Sequence, residues 1–280
     1  MFFDIVWLVW RRKTMSIEQT FQKDMIKKYR KELWSRFIKG IKEFNLIEDG
    51  DKVAVAVSGG KDSLLLARML KELTRHPLVD FEVVFIVMDP GYSSWNRNKI
   101  EENAKLLGLD LIIEDKAVFD VVAKKAPDYP CYLCARMRRG ILYSLAEKYG
   151  CNKLALGHHY DDVIETTLLN LFYSGTFKTM LPKVSAENFE GIDLIRPLYF
   201  VREKDVSRIM KRAGIAPMDC GCTVAAGETA SKRKEMKELI EKLKHEHKDI
   251  DKSIFRAAAN VNLDNILGWE KEGKKYRFDD

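Results

Sequence analysis

Residues 58–63 read Ser58-Gly59-Gly60-Lys61-Asp62-Ser63: small donors, one cation and one carboxylate, directly after the apolar run Val53 to Val57. Leu64, Leu65, Leu66, Met69, Leu70 and Leu73 then recur at helical spacing. The order is strand, glycine turn, helix N-terminus. Glycines carry no Cβ, so the backbone can come close to an anion. The first helical N–H groups lack intrahelical partners and sit at the positive end of the helix dipole. Such a turn suits a phosphate or pyrophosphate, with Ser58, Lys61 and Ser63 as further donors. The spacing is not that of a Walker A loop, whose glycines stand further apart.

A second group is Gly157-His158-His159-Tyr160-Asp161-Asp162, placed where an apolar strand at 153–156 meets a helix at 161–173. Carboxylates in a first helical turn suit the dipole, so capping is the simplest account. Capping explains one aspartate more easily than the whole motif. A carboxylate here can hold Mg²⁺ against a triphosphate or orient an incoming group. The third group is Cys131-Tyr132-Leu133-Cys134, with Cys220 and Cys222 far along the chain. A C-x-x-C pair alone is open to zinc, redox or iron–sulfur use. Four thiolates suit zinc, whereas three with an open iron position suit a [4Fe-4S] cluster. Cys151 stands apart and is expected to be a buried, inert thiol.

The elements that must position these groups alternate. Strands are expected at 53–57, 82–88, 109–113, 153–156 and 192–199, and helices at 62–74, 95–107, 117–125, 136–149, 161–173 and 203–213. That alternation predicts an α/β fold with a parallel sheet and helices on both faces. Ligands in such sheets bind beyond the carboxyl ends of the strands, where Ser58–Ser63, Asp89–Gly91 and Gly157–Asp162 all fall. Residues 18–46 predict an amphipathic helix with Ile26, Leu33, Phe37, Ile41 and Phe44 on one side and lysines and arginines on much of the rest. That basic face is either solvated or a nucleic-acid contact, and its apolar face makes a homodimer plausible. The expected organisation is a tail or misassigned start at 1–17, an N-terminal helix at 18–48, the nucleotide domain with its cysteines at 49–226, and a C-terminal helical region at 227–280.

At 280 residues and 46% apolar content the chain can bury a sizeable core. The formal charge of +6 allows a polyanionic partner without requiring one. Five cysteines, an odd number, argue against a disulfide scaffold and for a reducing, cytoplasmic setting. The apolar segment Met1 to Trp10 is too short to span a bilayer, so no membrane partner is expected.

Together the motifs resemble the tRNA 2-thiocytidine synthetase family of the PP-loop ATP pyrophosphatases. The matching runs are 55–63, Cys131 to Tyr143 with its Arg138-Arg139-Gly140, Ala155 to Asp162, Asn170 to Gly175, Pro182-Lys183 and Asp89 to Gly91. The resemblance covers roughly residues 25–245. It implies a Rossmann-like fold of the adenine nucleotide alpha hydrolase type. It implies ATP and Mg²⁺ on Ser58, Gly59, Gly60, Lys61, Asp62, Ser63, Gly157 and His158, with Asp62 and Asp161 as catalytic carboxylates. It further implies a [4Fe-4S] cluster on Cys131, Cys134 and one later cysteine. The implied reaction adenylates the C2 oxygen of a cytidine at tRNA position 32 and replaces it with sulfur from a desulfurase or sulfide. The chain departs from the family pattern at Cys220-Gly221-Cys222. The spacing onward from Cys222 is similar to that of the tRNA 2-thiouridine synthetases, which favours Cys222 as third ligand. That neighbouring branch, a PP-loop sulfurtransferase acting on a small molecule, and a non-catalytic sensor are the rival readings. No cysteine precedes residue 131 or follows 222 to form the zinc modules of the thiouridine branch.

Overall fold

A computed structural model describes residues 15–75, 77–125, 130–218 and 228–279. Its centre is a six-stranded sheet in the order β3-β2-β1-β4-β6-β5. The strands are β1 (Asp51–Ala56), β2 (Phe81–Asp89), β3 (Leu111–Asp115), β4 (Lys153–Ala155), β5 (Lys183–Ser185) and β6 (Asp193–Ile195). All run parallel except β5, an antiparallel edge strand paired with β6. The chain builds β1, β2 and β3 in one direction and then places β4 on the other side of β1. The switch point therefore lies between the carboxyl ends of β1 and β4, where a ligand crevice opens.

Strand alternation divides the core. Val53, Val55 and Val57 enter one apolar cluster, and Ala54 enters another on the opposite face. The first face is covered by α3 (Lys61–Arg75), α4 (Ser94–Leu106) and α8 (Glu203–Arg212) together with the N-terminal helices. The second is covered by α5 (Val118–Lys125) and α6 (Pro130–Lys148). Because α3 is buried on most sides, even Arg68 is fully enclosed; it pairs with Glu72 at 3.0 Å. Glu72 in turn accepts a hydrogen bond from Gln22 at 2.7 Å, which ties the N-terminal segment to this helix.

The N-terminal segment is not the single helix expected over 18–48. It forms α1 (Ile17–Lys23), a π-helical turn at Asp24–Lys28, and α2 (Trp34–Glu43). Phe21, Met25, Leu33, Phe37 and Ile41 are buried at multiples of four residues. In a 3.6-residue helix each four-residue step drifts by about 40°, so such a stripe would rotate off the core. The wider π turn, closed by the Tyr29 N–H donating to the Asp24 carbonyl at 2.8 Å, helps unwind that drift. The apolar face is consequently covered by the chain's own core, which removes the ground on which it made a dimer plausible. The lysines at 23, 27, 28, 31, 39 and 42 stay exposed on the outer side.

The remaining helices are α7 (Tyr160–Tyr173), α9 (Glu228–Glu246) and α10 (Ile250–Ala257). Met236 and Ile240 of α9 join Tyr160, Ile164 and Leu168 of α7 in a third apolar cluster, with Phe255 of α10 packed on it. Phe255 also stacks on Tyr160, with ring centroids 4.5 Å apart. The C-terminal helices thus close over the back of α7. Beyond them lies a hairpin, β7 (Gly268–Lys271) and β8 (Lys274–Arg277), which the helical expectation for 227–280 did not include. Its Glu272-Gly273 turn has φ of 53° and 76°, the left-handed pair that a tight hairpin needs. No helix among the described residues is long and apolar enough to cross a membrane.

Candidate active site at the β1–β4 switch point

The turn after β1 is tied by one hydroxyl. Ser63 Oγ donates to the Gly60 carbonyl at 2.9 Å and lies 3.1 Å from the Ser58 N–H and 3.2 Å from Ser58 Oγ. Gly59 has φ +81°, and a Cβ there would lie 2.6 Å from Ile100, so both conformation and space require glycine. Gly157, in the loop after β4, is needed only for proximity. A Cβ on it would sit 2.9 Å from the Ser63 backbone nitrogen and 3.0 Å from the Asp62 carbonyl carbon. The structure therefore brings the two sequence motifs into direct backbone contact at the first turn of α3.

Lys61 projects from that turn and pairs with Asp62 at 3.0 Å and Glu203 at 3.1 Å. Burial opposes its charge, but the two carboxylates outweigh burial and raise its pKa. Lys237 of α9 is a second cation on Glu203. Burial raises the pKa of Asp62 against the opposing pull of His159 and Lys61. Asp62 Oδ1 is buried and has no hydrogen-bond partner among the described residues; His159 Nε2 stands 3.7 Å away. A buried carboxylate oxygen left unsatisfied beside a phosphate cradle fits a hard divalent cation, and Mg²⁺ typically takes one or two carboxylates plus phosphate oxygens.

The loop after β4 divides its polar groups. His159 caps α7, with Nδ1 accepting from the Asp162 N–H at 3.3 Å while Asp162 accepts from the His159 N–H at 2.9 Å. His158 instead faces the cleft; burial lowers its pKa to about 4, and its Nδ1 accepts from Arg196 Nε at 3.3 Å. The two adjacent aspartates part company. Asp162 lines the cleft and pairs with Arg233 of α9 at 3.2 Å. Asp161, expected from the motif to serve the chemistry, turns away. Its Oδ2 accepts the Glu203 N–H at 2.7 Å, capping α8, and it lines a separate groove between α7, α8, α9 and α10.

The cleft has a volume of about 420 Å³. Ser58, Gly60, Asp62 and Ser63 form one wall, and Ala135, Arg138, Arg139 and Leu142 of α6 form the other. Those four positions lie on one helical face, just C-terminal to Cys134, which itself packs against the second apolar cluster. Cys134 is half-buried; the Cys131 side chain and both Cys220 and Cys222 lie outside the described residues. The chain leading to the latter two is placed, however. The Met218 N–H donates to the Gly59 carbonyl at 3.0 Å, so Cys220 and Cys222 follow within two and four residues of the phosphate turn. By its chemistry, a set of three thiolates drawn from Cys131, Cys134, Cys220 and Cys222 fits a [4Fe-4S] cluster with one iron position open.

Glu203, Arg196, Arg233 and Lys237 are site residues that sequence reasoning missed. Nothing local distinguishes them, since each is tied to the two motifs, directly or through Glu203, by tertiary packing alone. Arg138 and Arg139 were visible within the cysteine-to-glycine segment but had no role assigned.

The PP-loop domain family matches residues 30–219. The chain is 40% identical over 247 residues to a tRNA-cytidine(32) 2-sulfurtransferase of Geobacter metallireducens, covering 87% of this chain and 95% of that protein. It is 43% identical over 236 residues to the protein of the same name from Citrifermentans bemidjiense, covering 83% and 91%. Among solved structures it resembles the U34-tRNA thiolase NcsA from Methanococcus maripaludis with its [4Fe-4S] cluster. The TM-score is 0.64 at 21% identity, with 82% of this chain and 79% of that one covered, a likeness of fold. On the extent and level of these matches, the chain belongs to the PP-loop proteins and, within them, to the tRNA-cytidine(32) 2-sulfurtransferase family.

Proposed function

We propose that this chain is an ATP-dependent tRNA sulfurtransferase that replaces O2 of cytidine 32 with sulfur. The observation that carries the reading is the convergence of three segments on one cleft: the turn 58–63, the loop 157–162 and, through Ala135, Arg138, Arg139 and Leu142, the helix α6 that bears Cys131 and Cys134 in its sequence. Backbone N–H groups of the turn, with Ser58, Ser63 and Lys61, hold the phosphates of ATP. For this Lys61 exchanges Glu203 for a phosphate oxygen, and Lys237 remains to neutralise Glu203. Asp62 Oδ1 and Asp162 would hold Mg²⁺, which supplies charge neutralisation on the triphosphate. Asp161 acts on the site by anchoring α8 and so Glu203.

The C2 oxygen of the cytidine attacks the α-phosphorus and pyrophosphate leaves. The oxygen then belongs to an AMP leaving group, far easier to expel than oxide. Sulfide attacks C2, the C2–O bond breaks, and AMP carries the oxygen away, leaving C2=S. Preorganised cations stabilise charge that develops in such displacements, and Arg138, Arg139 and Arg196 are placed to do so. Neutral His158 adds no charge and orients Arg196. Cys131, Cys134 and Cys222 would hold a [4Fe-4S] cluster, whose open iron position supplies a place for the sulfide. A cysteine desulfurase or free sulfide is the sulfur source, and a reducing cytoplasm keeps the thiols in the state the cluster needs.

The test is anaerobic. Protein reconstituted with iron and sulfide is incubated with ATP, Mg²⁺, sulfide and unmodified tRNA. The tRNA is then digested for nucleoside mass spectrometry while AMP is followed. Thiocytidine formed only with ATP is the expected result. Thiouridine would transfer the protein to the neighbouring branch, and AMP with no thionucleoside on any tRNA would sink the reading.

A further inference from the structure

At the C-terminal end of α7 the chain exposes a run of large apolar side chains. Leu171, Phe172, Tyr173, Phe177, Leu181 and Val184 are each 39–57% exposed. Exposed apolar patches of this kind mark interaction sites when the structure holds them open. This one is held. Asn170 Nδ2 donates to the Lys178 carbonyl at 3.0 Å, the Thr176 N–H donates to the Asn170 carbonyl at 3.1 Å, and Tyr199 OH donates to the Met180 carbonyl at 2.8 Å. The Thr167 and Thr179 hydroxyls meet at 2.9 Å. A segment already ordered in the free protein loses little further entropy when a ligand lands on it.

The segment is continuous with the catalytic cleft. Arg196 donates to the Leu181 carbonyl with one nitrogen and to His158 with another. Residues 171–184 include Lys178 and Lys183 and no carboxylate; Lys183 is paired outside the segment with Asp193 at 3.4 Å and Glu48 at 3.8 Å, so Lys178 carries the segment's own charge. Lys232 of α9 sits 4.9 Å over the Tyr173 ring, and the neighbouring Glu235 is engaged by the Tyr173 hydroxyl.

We propose that this face is a stacking platform for unpaired RNA bases flanking the target nucleotide, a role that rests on the tRNA reading above. Rings bordered by cations fit a polyanion whose bases offer π-faces, and such stacking tolerates any base. A second copy of the chain fits less well. A two-fold contact through this face would set Lys178 against its own copy, with no carboxylate in residues 171–184 to meet it.

The experiment uses anaerobically reconstituted protein as wild type, F172A/F177A and F172Y/F177Y. It measures affinity for unmodified tRNA over a salt series, ATP affinity and solution mass. The alanine pair is expected to weaken tRNA binding by about ten- to a hundredfold. ATP affinity, mass and the salt slope should be unchanged, because stacking releases no counterions. The tyrosine pair, which keeps the rings, should restore affinity. Unchanged tRNA affinity in the alanine pair overturns the platform. So does a wild-type dimer that the alanine pair turns into a monomer, which would make this face an interface between copies. Wild-type protein that binds no tRNA overturns the underlying reading and the platform with it.

Discussion

The turn after β1 and the loop after β4 meet across the switch point, yet they deploy their carboxylates in opposite ways. Asp62 leaves Oδ1 buried and without a hydrogen bond among the described residues, beside the phosphate cradle. Asp161 spends its carboxylate on the N–H that starts α8. Both stand at the first turn of a helix that follows a parallel strand, so sequence context does not separate them. What separates them is whether another element has already satisfied the oxygen. Availability to a ligand is a property of the unsatisfied atom, and only packing decides it.

The largest effect that tests this contrast is at Asp62. Asp62→Asn should lower AMP formation by about 10²–10³-fold while leaving the melting temperature unchanged or slightly higher, since burial of the Asp62 charge outweighs the pull of His159 and Lys61 on it. Steady-state AMP release and calorimetry check it together. Wild-type turnover in the asparagine variant would remove Asp62 from the chemistry.

Gly157→Ala comes next. The added methyl meets the backbone of Ser63 rather than a flexible side-chain tip, and overpacking of that kind costs about 1–3 kcal/mol. A raised KM for ATP with a modest loss of melting temperature is expected. An unaffected KM would mean that the two loops need not touch.

Asp161→Ala should look different from both. Loss of a capping acceptor costs about 0.5–2 kcal/mol, so stability should fall while AMP formation falls far less than in Asp62→Asn. The reverse pattern, with activity abolished and stability intact, would return Asp161 to a direct part in the reaction.

The smallest effect on turnover is expected from Glu165, at the margin of the same cluster. Burial and the neighbouring Asp162 raise its pKa to about 7. A carboxyl held above its ordinary value of 4.5 binds more protons folded than unfolded across that window. Its contribution to stability is therefore fully present below about pH 4.5 and is lost as pH rises through about 7. His158 acts in the opposite sense. Its folded value near 4 stabilises the protein above about pH 6.5 and is lost as pH falls towards 4. Glu165→Gln should flatten the alkaline side of the stability–pH curve and leave the acid side in place. Chemical denaturation at a series of pH values reads this directly.

The alternation of strands and helices, the phosphate turn and its register into α3 were legible in the residues, because each depends on local pattern and on glycine's conformational freedom. The limits of legibility are equally physical. The stripe at 21–41 spells one amphipathic helix, but four-residue spacing drifts, and a π turn corrects it only because a core waits on one side. β5 is a three-residue edge strand with one buried neighbour, too short to carry a pattern. Gly157 was visible as part of a motif, whereas its reason, contact with the Ser63 backbone, exists only once β1 and β4 lie side by side.

By itself, then, the sequence determined the fold class and the phosphate cradle, since these follow from residue types at short separations. Tertiary structure alone decided which aspartate faces the cleft, which distant carboxylate joins Asp62 on Lys61, and which arginines line the cleft or bond its histidine. Those groups come from α6, α8, α9 and the turn after β6, more than forty residues from the phosphate turn. A buried polar atom's partner at that distance is set by packing, which no local spacing encodes.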